Sequence, residues 1–247
     1  MSGPDDRRLE ELSLNSSASP AQLLYDGWIV RLAPGKAKRA RSVNAFYPSA
    51  LPLDEKIGYC QSLYRGAGLP LLFRITPFCQ PAGLDRELEG RGYARFEATS
   101  VQGAALEPGC AASPNWEAEP LPGWIEAVAA LRGSPTGQAA AHRARLEGLP
   151  LPMRPLAVRE AGEVVATGLV VVEGDCAGLF DIVTHPSARR RGHARRLVAA
   201  LLRSAWELGA RHAYLQVEGG NAAALELYRG YGFRERYQYW YRGREGT

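Results

Sequence analysis

The 247-residue chain has little that would cross-link it, hold a metal or carry it through a bilayer. Its four cysteines, Cys60, Cys79, Cys110 and Cys176, are far apart, form no CxxC pair and stand at no ligand spacing from a histidine. Neither a disulfide framework nor a zinc site is expected, and the thiols should be buried and free in a reducing compartment. The longest apolar run, "VVATGLVVV" at 164–172, is broken by Thr167 and Gly168 and falls far short of the ~20 residues that cross a membrane. It reads as a buried strand. The opening "MSGPDDRRLEELSLNSS" lacks the apolar core of a secretory leader, so a cytoplasmic location without a membrane partner is expected. Net charge is only +4, too weak a balance to indicate a nucleic-acid partner. What is present is an ordinary globular composition, 46% hydrophobic and 23% charged, long enough for one large domain or two compact ones.

Segment by segment the chain alternates strand and helix patterns, which points to an α/β (α+β) protein with a mixed central sheet flanked by helices. Residues 1–20 are polar and expected to be flexible. A first lobe is expected over 21–106, with strands at "GWIVRLA", "PLLFRIT" and "ARFEATSVQ" and helices at "LDEKIGYCQSLYRGAG" and "GLDRELEGRGY". The first of these helices carries Ile57, Cys60 and Leu63 at helical spacing. Pro, Gly, Ala and Ser crowd into 107–120, the expected linker. A second domain over 121–247 opens with helical "WIEAVAALRG" and "TGQAAAHRARLEG". Then follow three strands, an Arg-rich turn, a long amphipathic helix, a strand, a short helix and a final aromatic-rich strand.

The Arg-rich turn carries the chemistry. "PSARRRGHARRL" at 186–197 sets Arg189, Arg190, Arg191, Arg195 and Arg196 around Gly192, where a strand delivers the chain to a helix N-terminus. Unpaired backbone N–H groups and the positive end of the helix dipole favour an anion there. Gly192 and small Ala194 clear the way for a phosphate to approach the main chain. A solvated helix face would explain the arginines but neither the glycine nor the preceding strand. The cluster has no interleaved aromatics, which argues against a single-stranded nucleic-acid site.

"VTHPSARRRGHARRL" resembles the pyrophosphate-binding motif R/Q-x-x-G-x-G/A of the GNAT N-acetyltransferases, met by Arg189, Gly192 and Ala194. "NAAALELYRGYGF" is similar to the family's second signature through Asn221, Ala224, Leu227, Tyr228, Gly232 and Phe233. The resemblance spans roughly 120–245. It implies the GNAT acyl-CoA N-acyltransferase fold and acetyl-CoA as cosubstrate, with no metal, and an amine-bearing small molecule or peptide as acceptor. Backbone groups of Ile182, Val183 and Thr184 would meet the acetyl group and pantetheine arm. The turn from Arg189 through Arg190, Arg191, Gly192 and His193 to Ala194 would hold the pyrophosphate. Asn221 would meet the pantetheine region, and Tyr228 would lie near the sulfur. One departure is Arg190, where the family often has glycine.

The implied reaction is attack of a neutral amine on the thioester with a backbone N–H polarising the carbonyl. Tyr228 is the candidate general acid for the departing thiolate. Asp181 and Glu218, on the two strands that would flank the thioester, are candidate bases, and a water chain is the alternative. His185 and His193 read as partly exposed loop residues. A non-catalytic acyl-CoA-binding or regulatory protein is the rival account.

In the first lobe "LEGRGY" (88–93) parallels "YRGYGF" (228–233), with Leu88 at the place of Tyr228. The pattern suggests two tandem GNAT-like lobes, the first degenerate. "YRGAG" (64–68) mimics a phosphate turn but follows a helix and precedes Pro70, so it reads as a helix C-cap. The basic stretch "GKAKRARSVN" (35–44) is a solvated loop or a contact for an acidic partner. The acceptor's identity is open, as is the choice between monomer and homodimer.

Overall fold

A computed structural model describes residues 3–33, 37–107 and 117–244. Most of the expected linker, Cys110 and the Gly35–Lys36 start of the basic stretch therefore lie outside the described residues. The chain divides into a larger unit of Met1–Ser16 and Val101–Arg236 and a smaller one of Ser17–Ser100 and Tyr237–Thr247. This differs from the expected layout at both ends of the chain.

The residues expected to be flexible form helix α1 (Asp6–Ser16). Asp5 Oδ1 accepts the Arg8 N–H at 2.7 Å, an N-terminal cap, and Leu9, Leu12 and Leu14 are buried. Polar links fix the helix to the larger unit's strands: Arg8 to Glu173 at 2.8 Å and Ser16 Oγ to the Tyr214 hydroxyl at 2.9 Å. The polar character of the segment concealed three leucines that the fold buries.

The smaller unit begins with β1 (Gln22–Tyr25) and β2 (Trp28–Arg31), paired antiparallel through Asp26 and Gly27, both at positive φ. Asp-Gly is the dipeptide that two-residue hairpins favour. Then follow β3 (Val43–Ala45), α2 (Leu53–Gly66), β4 (Leu72–Ile75), α3 (Leu84–Gly90) and β5 (Ala94–Ala105). Strands β3 and β4 are parallel, joined by α2. The buried face of α2 is Ile57, Cys60 and Tyr64, with Leu63 at its margin. "YRGAG" ends α2 as a C-cap: Gly68 has φ +63, Leu69 N–H donates to Tyr64 O at 2.9 Å and Gly68 N–H to Arg65 O at 3.1 Å.

The turn leading into α2 is closed internally. Asp26 accepts the N–H groups of Ala50 and Leu51 at 3.0 and 2.9 Å. The buried Lys56 ammonium, 3.0 Å from Asp26 Oδ2, completes the arrangement over the Trp28 ring at 4.2 Å. The two backbone hydrogen bonds are the main reason that the Asp26 carboxyl is lowered to about 2.

The larger unit continues through β6 (Glu117–Ala118), α4 (Leu121–Arg132), α5 (Thr136–Glu147), β7 (Met153–Glu160), β8 (Glu163–Glu173) and β9 (Cys176–Thr184). It is completed by α6 (His193–Glu207), β10 (His212–Glu218) and α7 (Ala222–Arg229). Strand order is β6-β7-β8-β9-β10, followed by the C-terminal part of β5. Neighbours from β6 to β9 are antiparallel, whereas α6 makes the crossover to a parallel β10. Helix α6 packs Leu197, Val198, Leu201 and Ala205 onto Ala166, Val170 and Val172 of β8. Close approach is possible because β8 carries Gly168: a Cβ there would meet Leu201 Cδ1 at 2.7 Å.

The last strand, β11 (Arg234–Gly243), was expected to stay in the C-terminal domain, but from Tyr237 it belongs to the smaller unit. Trp240 to Gly243 pair antiparallel with Leu72 to Ile75 of β4. Asp85 on α3 holds them, accepting Trp240 Nε1 at 2.8 Å and Arg242 Nε at 2.7 Å. The ends of α3 and α7 are built alike. Tyr93 N–H donates to Leu88 O at 3.0 Å and Phe233 N–H to Tyr228 O at 3.2 Å, with Gly92 at φ +80 and Gly232 at φ +84.

Asparagine tolerates the left-handed backbone at position 26 but carries no charge. Asp26→Asn should therefore lower the denaturation midpoint at neutral pH. Because the folded carboxyl lies below its unfolded value, its stabilisation is present above about pH 4 and is lost as pH falls toward 2. The difference between parent and variant in denaturant titrations should close across that window.

Candidate functional site

The site grows from an interrupted strand pair. Cys176 to Leu179 of β9 pair with His212 to Leu215 of β10, and the pairing goes no further. On the other side β9 stays with β8 as far as Thr184, through a bulge in which Asp181 and Ile182 oppose Gly168 alone. Asp181 takes φ +51 at this bulge, and Thr167 Oγ1 donates to its carbonyl at 3.4 Å. A bulge bends its strand and sharpens the local twist. Ile182, Val183 and Thr184 thus lie beyond the stretch of β9 that pairs with β10, half-buried.

From that strand the chain enters the Arg-rich turn. A single 3₁₀ turn at Pro186–Ala188 is fixed by His185, whose Nδ1 accepts the Ser187 N–H at 3.3 Å. Arg190 follows at φ +62 and Gly192 at φ +82. Arg190 thus adopts the left-handed conformation that a glycine takes without cost. Gly192 is the N-cap of α6 and no side chain caps the helix start. A Cβ at Gly192 would meet nothing nearer than Arg196 Nη2 at 3.8 Å, so backbone conformation, not packing, calls for glycine. Arg191 pairs with Glu160 at 2.7 Å, while Arg189, Arg190 and Arg195 have no carboxylate partner among the described residues. The first N–H groups of α6 and these exposed guanidiniums form one anion-seeking surface. His193 departs from expectation: as the first residue of α6 it is only 4% exposed and lies 3.6 Å from Glu160.

Asp181 also departs. Its Oδ1 is 2.8 Å from Arg132 Nη2 at the end of α4, and its Oδ2 is 3.0 Å from His142 Nε2 on α5. Burial alone would raise this carboxyl, but His142 and Arg132 outweigh it and hold the group far below the usual carboxylate range. Such a carboxylate is a poor proton acceptor, and its evident work is to tie the bulge to α4 and α5. Neither His142 nor Arg132 stood out in the sequence, since each lies about 40 residues or more from Asp181.

Tyr228 is 8% exposed on α7, within the apolar cluster of α6 and β10, and its ring centroid is 5.9 Å from that of Phe233. Its hydroxyl has no hydrogen-bond partner among the described residues, and burial pushes the phenol up to about 12. Glu218 is exposed at the end of β10. Asn221 caps α7 by accepting the Ala224 N–H at 3.1 Å, a structural duty that its signature position did not reveal. Tyr231, also missed, donates to Arg195 O at 2.6 Å and so ties the end of α7 to the first turn of α6. Among the described residues no three His, Cys, Asp or Glu side chains are grouped to hold a metal, and no helix is long and apolar enough to cross a membrane.

Residues 124–233 match the acetyltransferase (GNAT) family. A Bacillus subtilis protein called uncharacterized N-acetyltransferase YobR is 27% identical over 246 residues, 96% of this chain and 98% of its own. The ribosomal protein bS18-alanine N-acetyltransferase of Escherichia coli is 35% identical over 74 residues, 30% of this chain and 50% of its own. Among solved structures, a GCN5-related N-acetyltransferase from Kribbella flavida is similar in fold. Its TM-score is 0.70 at 16% identity, over 98% of this chain and 96% of that one. A tandem GNAT protein from the clavulanic acid biosynthesis pathway gives 0.59 at 15%, over 92% and 86%.

Asp181→Asn should cost about 3 kcal/mol of stability, because it leaves the Arg132 and His142 side chains together without their counter-charge. Denaturant unfolding checks this. A variant of parental stability that had nonetheless lost turnover would return Asp181 to the role of base.

Proposed function

Because the chain belongs to the GNAT superfamily of acetyl-CoA-dependent N-acetyltransferases, we propose that its larger unit transfers the acetyl group to a primary amine by direct attack in a ternary complex. The observation that carries this reading is the coincidence, in one unit, of an uncapped α6 N-terminus behind Arg190 and Gly192 with a β9 that extends beyond its pairing with β10.

On this reading the N–H groups from Gly192 to Arg195 hold the diphosphate, with Arg189, Arg190 and Arg195 supplying counter-charge. The open stretch of β9 at Ile182, Val183 and Thr184 aligns the pantetheine arm. A backbone N–H of that stretch polarises the thioester carbonyl as the amine attacks and an oxyanion develops. When the tetrahedral centre collapses, the C–S bond breaks and the Tyr228 phenol delivers its proton to the sulfur. The amine's own proton passes to Glu218 or to water, and Asp181 acts as a positioning residue. The smaller unit carries Leu88 where Tyr228 stands and an internal carboxylate in the turn before α2, so the donor machinery resides in the larger unit alone. The acceptor is an amine-bearing small molecule or peptide. Location in the cytoplasm fits a chain whose described thiols Cys60, Cys79 and Cys176 are all free.

Thiol release from acetyl-CoA across a panel of amines tests the reading, with peptide N-termini included because one relative acts on an alanine of a ribosomal protein. Gly192→Asp should abolish acetyl-CoA binding in calorimetry while leaving the fold intact, since it puts bulk and negative charge at an exposed turn. Parental affinity in that variant would sink the phosphate-turn assignment.

Tyr228→Phe should keep acetyl-CoA affinity and slow the chemical step by roughly 10²- to 10⁴-fold. Acetyl donors with a more acidic leaving thiol should suffer less. Equal slowing for every donor, accompanied by lower stability, would mark the tyrosine as structural.

A further inference from the structure

The smaller unit contains a cavity of about 470 Å³, within the range of small-molecule sites. It lies beside the "YRGAG" end of α2, a segment the acetyl-transfer chemistry leaves unused. Its walls are chemically one-sided. Arg65 and Arg244 line it and, among the described residues, no aspartate or glutamate does. Arg65 has no carboxylate partner among the described residues and makes only a 3.3 Å hydrogen bond to Ser62. Arg244 is held in place by donating to Arg91 O at 2.9 Å and by lying 4.6 Å from the Tyr93 ring centroid. The acids Asp54 and Glu87 are paired with Arg91, whose carbonyl receives the Arg244 hydrogen bond.

A third donor joins the two arginines. The Tyr93 hydroxyl accepts from Gln61 Nε2 at 3.1 Å, which leaves its own proton without an acceptor among the described residues. At the C-terminal end of α2, Tyr64 O and Arg65 O are taken by the N–H groups of Leu69 and Gly68. Leu69, Pro70 and Leu71 supply an apolar wall, and the buried Tyr64 and Tyr93 add ring surface.

We propose that this cavity binds a small organic anion: a carboxylate, held by Arg65, Arg244 and the Tyr93 hydroxyl, on an apolar body that rests against Leu69, Pro70 and Leu71. Two guanidiniums and a phenol proton match the acceptor-only edge of a carboxylate, and the apolar wall selects against a bare inorganic ion. The site stands independently of acetyl transfer by the larger unit.

The experiment uses the full chain with benzoate as probe and benzamide as its neutral isostere, with binding read by calorimetry. Benzoate should bind saturably, and benzamide at least roughly tenfold more weakly, as expected for loss of charge-assisted hydrogen bonds. Arg65→Gln, on an exposed helical position, should weaken benzoate by a similar factor without altering thiol release from acetyl-CoA. Failure of benzoate to saturate, equal affinity for benzamide, or parental benzoate binding by Arg65→Gln would each overturn the proposal. An effect of Arg65→Gln on acetyl-CoA turnover in the absence of benzoate would also overturn it, by showing that the cavity belongs to the catalytic machinery.

Discussion

Strands β9 and β10 run together for four residues and then cease to pair, and the larger unit is organised around that separation. A strand edge left unpaired carries N–H and C=O groups that need partners. Three features keep the edge from closing. The bulge at Asp181 bends β9, Arg132 and His142 hold the bulge through its carboxylate, and Gly168 lets α6 settle close against β8. Each would be a liability in an ordinary sheet: a non-glycine residue at φ +51, a buried charge, a gap in the side-chain row. Together they leave the C-terminal part of β9 unpaired with β10, on the stretch of chain that leads to the N-terminus of α6. The cost in local strain and desolvation is met by packing elsewhere, chiefly the apolar face of α6 on β8.

The two units meet the same backbone problem in opposite ways. In each, a parallel pair of strands is joined by a helix, and the turn before that helix has N–H groups that the helix cannot satisfy. In the smaller unit no side chain caps the first N–H groups of α2, but Asp26 accepts the N–H groups of Ala50 and Leu51 in that turn, with Lys56 as counter-charge. In the larger unit no side chain does so, and the arginines increase the demand for an anion. The shared construction at Leu88–Tyr93 and Tyr228–Phe233 adds a second likeness, since a helix in each unit ends in the same way.

Much of this was legible locally. Gly192 and Gly232 lie at positive φ, and α6 begins right after Gly192, as turn chemistry and helix periodicity indicate. The apolar, β-branched runs at β2, β4, β7, β8 and β9 announce themselves through their side chains. What escaped was short or long-range. β1 and β3, of four and three residues, are too brief to show a period. α1 hides its leucines in a polar segment. The allegiance of β11 is decided by Asp85, about 150 residues upstream, and the character of Asp181 by partners on α4 and α5. A carboxylate on a strand beside a thioester reads as a base until the cations that surround it are known, and no spacing rule reveals them.

The same dependence on surroundings decides whether a buried phenol can serve an acid's part. In water a thiol of pKa about 8.5 would hold its proton less tightly than a phenol of about 10, and a Tyr228 raised to about 12 would look mismatched. Burial acts on the sulfur as well. Within this chain the buried Cys60 thiol is pushed up to about 12 by burial, and Cys176 to about 12 by burial and the neighbouring Asp175. A thiolate released into apolar surroundings like those of Tyr228 therefore gains proton affinity for the same reason that the phenol does. Burial thus raises donor and acceptor in the same direction and makes the transfer less uphill than the values in water suggest. On the proposed mechanism, the apolar cluster around Tyr228 acts on donor and acceptor alike as well as packing the ring.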